Sequence, residues 1–394
     1  MDSNQQKKLR IAFLSVNDPL DRRSWSGTTY YIGQTLKNRV GDVHFLGPVK
    51  IPRWLDKVLR AIAKSNRILF RREYAVKYSL LLSWYTSRQL KKRMKGREYD
   101  CIVAPAASTE LSYFRTRLPV IYISDTTFLL ISNYYAREFR DLLPFSRWEG
   151  NQLEKRSLRK SSLIIYSSQW AARSAVADYG VPEDKLLVMP LGANMDNVPE
   201  RAVIFEKEKN ETLTLLYLAV EWERKGGPIV FDAFRYLRDS GVPVRLIVCG
   251  CIPPADFSDP GMEVIPFLNK NETEDRRRFD GVLSSAHFLV LPTRADCSLL
   301  VACEANAFGM PAITTDTGGV ADVVLDGING FCLPYEAEGK EYGVLIRDLF
   351  ADREGYRRLV LSSRQRFEDR LNWDKWAEGF KTAYRERIGL AGEP

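Results

Sequence analysis

The sequence predicts an α/β protein of two Rossmann-like domains whose parallel sheets face each other across a cleft. Three observations predict it. The 394 residues, 45% hydrophobic and 27% charged, suit two domains of ordinary size, each able to bury its own core. Short apolar runs alternate with helical patterns along the whole chain, six runs to each half, as buried parallel strands and their crossovers should. Between the halves lies 197–211, a charged stretch without a sustained period that reads as a linker. The domains expected from this are 1–196 and 212–371, followed by a terminal helical segment, 372–394.

Taken in order, 9–16 (LRIAFLSV) reads as the first buried strand. Its loop runs into a helix beginning near Thr28, with Gly27 as the backbone pivot. Such a unit opens many nucleotide-binding sheets, but GxGxxG is absent, so a dinucleotide site is not supported. Residues 50–98 form the most basic segment: fifteen Lys and Arg stand against three acids, a net +12 that exceeds the +8 of the whole chain. Trp54, Leu55, Val58, Leu59, Ile62, Leu69 and Phe70 are interleaved at spacings of amphipathic helices. Two readings stand at this point, a solvated basic face over a core stripe or a helix lying on anionic lipid. A nucleic-acid surface lacks any accompanying recognition motif.

Further strands are expected near 99–104, 119–124, 162–167 and 186–190. Asp125 directly follows the strand ending at Ser124, at a carboxyl end where open α/β sheets bind ligands; the competing role is a helix N-cap. The second half begins with a strand at 213–220 and the turn EWERKGG (221–227). There Lys225 beside two glycines brings an ammonium and exposed amides to a diphosphate, and Arg224 offers a bidentate fork. Strands at 244–250 and 263–266 follow, then 287–292.

The stretch that carries most chemistry is 293–319, TRADCSLLVACEANAFGMPAITTDTGG. A loop leads into a helical pattern from about Leu299, Gly309 caps it, and Pro311 stops it. The first amides of that helix, around Ser298, Leu299 and Leu300, form an anion seat. Glu304 lies about 6–9 Å further along the helix, placed to accept hydrogen bonds from paired sugar hydroxyls. Asp296, in the loop ahead, sits on the other side of the seat, where a second sugar would lie. Strands at 311–315 and 330–333 complete the set, and 372–384 is an amphipathic helix with aromatic anchors.

Asp296, seven intervening residues and Glu304, followed by ANAFGMPA and TDTGGV, resemble the Glu-(any seven)-Glu signature of the family-4 retaining glycosyltransferases, which have the GT-B fold. The first position departs from the pattern, Asp being one methylene shorter than Glu. The resemblance implies that Glu304 holds the donor ribose, that Ser298 to Leu300 hold the diphosphate with Lys225, and that Asp296 faces the transferred sugar. It further implies that Gly27 lines the cleft below the donor phosphates and the acceptor. Asp125 then stands beside the reacting centre, and 249–253 and 265–268, ending at Leu268, border the base pocket. The arginine that the family often carries earlier in the Lys225 turn is replaced by Ala219 and Val220, which leaves two readings, Arg224 as its substitute or the charge missing. The terminal helix is expected to cross back to the first domain, with Trp373, Trp376, Phe380 and Tyr384 as its packing residues.

Six cysteines without a CxxC pair read as buried thiols, and two histidines, His44 and His287, exclude a histidine-rich metal site. No Asp-any-Asp triplet is present to carry a metal. No apolar run approaches the roughly 20 residues that span a bilayer, and 11–16 is too short for a signal core, so the expected location is cytoplasmic, with peripheral contact through 50–98. The activity expected is retaining, metal-independent transfer of a sugar from a nucleotide-diphosphate donor, without a cofactor, to a glycan or lipid-linked acceptor. The competing expectations are a catalytically silent subunit of the same fold that binds a partner or a membrane, and a nucleotide-sugar epimerase.

Overall fold

A computed structural model describes residues 8–389. It divides into two compact units, Met1–Met189 with Ala377–Pro394, and Pro190–Trp376. Each is built on one six-stranded, wholly parallel sheet.

In the first unit the strands are β1 (Leu9–Phe13), β2 (Gly41–Phe45), β3 (Cys101–Pro105), β4 (Val120–Ser124), β5 (Leu163–Tyr166) and β6 (Leu186–Val188), in the spatial order β2-β1-β3-β4-β5-β6. The central strands are buried throughout because helices cover both faces of such a sheet, and their sequences are accordingly unbroken apolar runs such as LIIY at 163–166. The two edge strands, β2 and β6, are partly exposed, and β2 carries Asp42 and His44.

The second unit contains β7 (Leu213–Leu218), β8 (Val244–Cys249), β9 (Met262–Ile265), β10 (Phe288–Leu291), β11 (Ala312–Thr315) and β12 (Gly330–Leu333). Their order is β12-β11-β10-β7-β8-β9, so the chain reverses direction across the sheet between β7 and β10. Loops leaving the carboxyl ends of two such neighbours diverge and leave a crevice, the usual ligand position in open α/β sheets. The loops concerned are 219–226 and 292–299.

The second unit takes in 190–211 ahead of the domain expected at 212–371, and the stretch 197–211 packs onto it: Val203–Lys209 forms a 3-10 helix whose Ile204 is buried, and the buried Lys207 Nζ donates to the Phe308 carbonyl at 2.9 Å. Its apolar residues are too few to show a period, yet they cap the core. The last helix, Trp373–Arg387, starts in the second unit and ends in the first. Within the first unit, Arg387 Nη1 donates to the carbonyls of Asp184 and Leu186 at 3.1 and 2.6 Å. Among the described residues no helix is long and apolar enough to cross a membrane.

Candidate functional site

In the second unit the two loops at the sheet's reversal point are laced together. Arg294 N donates to the Arg224 carbonyl at 2.8 Å, and Arg224 Nη1 donates to the Ala295 carbonyl at 2.7 Å. Gly226 permits this approach: its φ is +78°, and a Cβ there would lie 2.0 Å from the Pro292 oxygen. It is also the N-cap of the helix Gly227–Asp239, which Pro228 starts. Arg224 Nε donates to Glu221 Oε1 at 3.1 Å. Its guanidinium therefore braces the two loops, a role different from the bidentate phosphate fork expected of it.

Lys225 Nζ pairs with Asp296 Oδ2, and Asp296 Oδ1 accepts from the amides of Ser298 and Leu299 at 3.4 and 3.2 Å. The helix Leu300–Ala307 begins one residue later than expected, behind Leu299 in a left-handed conformation (φ 33°, ψ 53°). The cation and the amides expected to face a diphosphate thus converge on one internal carboxylate. Burial alone would raise that carboxyl; Lys225, Arg224 and the Leu299 amide outweigh it and hold Asp296 below the usual carboxylate range. Ser298 and Leu299 are buried and Leu300 is half-buried.

Glu304, a turn along the helix, is 2% exposed and pairs with Lys270 Nζ at 2.7 Å. Burial pushes its carboxyl above the usual range, with Lys270 opposing. Lys270 also lies 3.9 Å from the centre of the Phe279 ring. Leu268, half-buried after β9, packs against the core of this unit. Gly250 N donates to the carbonyls of Ile265 and Pro266, both at 3.0 Å, which ties the ends of β8 and β9 together.

The first unit holds the other expected residues. After β1, Trp25, Ser26 and Gly27 adopt φ of 49°, 54° and 90° in succession, and Gly27 is the N-cap of the helix Thr28–Arg39. Left-handed backbone at a tryptophan and a serine costs on the order of 1–3 kcal/mol each and is held only where surroundings fix it. Trp25 Nε1 donates to Asp125 Oδ2 at 3.0 Å. That contact fixes the loop across to the end of β4. Asp125 is not the cap of the next helix: Thr127 caps Phe128–Tyr134, its side chain accepting from Leu130 N at 3.3 Å.

Sequence reasoning missed Lys270 and Trp25. Lys270 lies in the loop that leaves the carboxyl end of β9, a position that could have marked it. For Trp25 there was no such signal, because only glycine advertises positive φ.

A model described as Glycosyltransferase Family 4 matches residues 28–197, and one described as Glycosyl transferases group 1 matches residues 212–352. The D-inositol 3-phosphate glycosyltransferase of Nocardia farcinica is 25% identical over 288 residues, 68% of this chain and 62% of that protein. The chain thus spans about three-fifths of the length of the first curated relatives it matches, 62% and 59%. Among solved structures, sucrose-phosphate synthase from Thermosynechococcus elongatus superposes with a TM-score of 0.67 at 15% identity, covering 97% of this chain and 100% of that one. Anabaena HepE in complex with UDP and glucose gives 0.61 at 15% identity, covering 96% and 100%. These two likenesses establish the fold as GT-B.

Proposed function

We infer the reaction from one premise: this chain belongs to the family-4-type glycosyltransferases of the GT-B fold. It transfers a sugar from a nucleotide-diphosphate donor to a glycan or lipid-linked acceptor, with retention of configuration and without a metal. The single observation that carries the donor assignment is the convergence of Lys225 and the amides of Ser298 and Leu299 on the Asp296 carboxylate. Donors arranged around the two oxygens of one carboxylate suit another anion, and the oxygens of a diphosphate present negative charge to the same groups.

Departure of a nucleoside diphosphate builds negative charge on the bridging oxygen, and preorganised donors that meet it lower the barrier. Lys225 supplies the ammonium, and the helix start supplies dipole and amides. Arg224, committed to Ala295 and Glu221, keeps the lysine loop in place. Glu304 takes the ribose hydroxyls, with Lys270 as its partner until the nucleoside arrives. Asp125, oriented by the Trp25 indole, is the polar group assigned to the reacting sugar in the first unit. As the family resemblance implies, attack comes on the face the leaving group departs from and a donor phosphate oxygen takes the acceptor's proton, which would account for retention. The HepE complex makes a UDP-sugar the donor to test first.

A panel of nucleotide sugars, read by nucleotide release and by thermal shift, tests the assignment. A UDP-sugar should be hydrolysed slowly alone and faster with acceptor. The product anomer, read by NMR, should match the donor, and a chelator should leave the rate unchanged. Absence of turnover with every sugar nucleotide, or an inverted product, overturns the reading.

A further inference from the structure

The helix Arg53–Phe70 is the most sharply two-sided element of the first unit. At 3.6 residues per turn, Arg53, Lys57, Arg60, Lys64 and Arg67 fall within an arc of about 80°, and Trp54, Val58, Ile62 and Leu69 form a line of similar width beside it. Leu55 and Leu59, turned further round, are buried and pack against Leu82 of the helix Leu80–Arg93. Those two leucines hold the helix to its neighbour. Most of the remaining apolar side is left in water: Trp54 is 57% exposed, Leu69 72% and Phe70 60%, with Val58 and Ile68 exposed as well and Ile62 half-buried.

Isolated exposed apolar side chains are ordinary, but a ridge that starts at Trp54 and Val58 and ends, beyond Ser65 and Asn66, in the exposed last turn of Ile68, Leu69 and Phe70 is not. Nor is its surrounding charge. Arg71 and Arg72 follow it directly, and acids in this neighbourhood are confined to Asp56, which Arg60 engages at 2.9 Å, and Glu73. Such a ridge needs a partner that is apolar where it inserts and anionic where the arginines and lysines lie. A second copy would bring the same +12 segment against this one, and a nucleic acid offers nothing to Leu69 or Phe70. The interface of an anionic bilayer meets both requirements.

We propose that this helix lies in the surface of an anionic membrane, with Trp54, Val58, Leu69 and Phe70 among the acyl chains and the Arg53–Arg67 row at the headgroups. The helix Leu80–Arg93 extends the surface with the exposed Trp84, over which the Arg88 guanidinium stacks at 4.5 Å. The docking does not depend on the donor site, because every residue named lies outside the loops around Lys225 and Asp296.

Co-sedimentation of the full chain with phosphatidylcholine vesicles, with and without phosphatidylglycerol, tests it. The expected result is binding at least about tenfold stronger to the anionic vesicles, each cation near such a surface adding about fivefold at most. Binding should fall in about 1 M salt, where the Debye length is near 3 Å. The double variant Leu69→Glu, Phe70→Glu should lose vesicle binding while keeping its circular dichroism, its melting temperature and its donor hydrolysis in vesicle-free solution. Equal binding of the variant and the parent, or no preference for anionic lipid, overturns the proposal. So does a dimer by light scattering that the variant converts to monomer while the parent ignores vesicles, since a second copy then covers the ridge. Loss of donor hydrolysis with intact vesicle binding would refute the transfer reaction and leave the docking standing.

Discussion

On the proposed reading Asp296 holds the place of a donor oxygen, so at the scale of single residues the donor competes with the protein's own carboxylate. Two substitutions separate the partners. Lys225→Ala removes the ammonium that meets the leaving group and should lower turnover by about a hundredfold or more, the cost of deleting one preorganised donor, with the circular dichroism spectrum unchanged. A rate within a few-fold of the parent would remove Lys225 from the reaction. Asp296→Asn discharges the competitor, so UDP alone should bind more tightly by titration calorimetry even as sugar transfer slows. Weaker or unchanged UDP binding would mean that the diphosphate does not take the oxygen's position. The charge argument favours tightening, since Asp296 is held ionised by the groups the diphosphate would recruit.

Among elements, the lysine loop depends on the absence of a side chain at one position. Gly226→Ala places a methyl 2.0 Å from the Pro292 oxygen at φ +78° and must force the loops apart. Gly96→Ala is the matched control, with φ +76° and nothing within 4 Å. Both carry the left-handed penalty, about 1 kcal/mol or somewhat more. Only Gly226→Ala should also weaken UDP binding by tenfold or more, and equal effects from the two would dismiss the lacing. The Gly226 turn shows what the sequence could reveal and what it could not. Most strands were legible because buried parallel strands are apolar runs, whereas the partly exposed edge strand β2, GDVHF, offers no such run; the helix after Asp296 was legible because Gly309 and Pro311 stop it. The residue types at 225, 296 and 304 were legible from their spacing. Their present partners were not: that Lys225 closes on Asp296, Lys270 on Glu304 and Trp25 on Asp125 depends on loops that converge only in the folded sheet. The packing of 197–211 was hidden for a related reason, since two inward residues, Ile204 and Lys207, decide it and leave no period.

At the scale of the whole molecule, the two units carry buried groups whose titrations oppose each other. In the second unit His287 is wholly buried; its Nδ1 accepts from Thr214 N at 3.0 Å, and burial, with nearby Lys207, pushes it down to about 4 from 6.5. The unfolded chain takes up the proton first, so this contribution is complete above pH 6.5 and is lost as pH falls toward 4. The full loss is about 3 kcal/mol at 1.36 kcal/mol per unit. In the first unit Glu154 is buried beneath β4, and burial pushes it up to about 7, against hydrogen bonds from Ser108 and Tyr122. Here the folded state holds the proton more tightly, so the contribution is complete below pH 4.5 and is lost as pH rises through 7. Calorimetric scans between pH 5 and 8 should therefore show these two contributions moving in opposite directions. His287→Asn, which keeps an acceptor for Thr214, should flatten the acid-side slope of the second unit's transition. Glu154→Gln, which mimics the protonated acid, should stabilise the first unit at pH 8 and leave it unchanged near pH 5. Other carboxylates titrate in the same range, so the differences between each variant and the parent are the quantities to compare; parallel slopes in either pair would clear that residue of the effect.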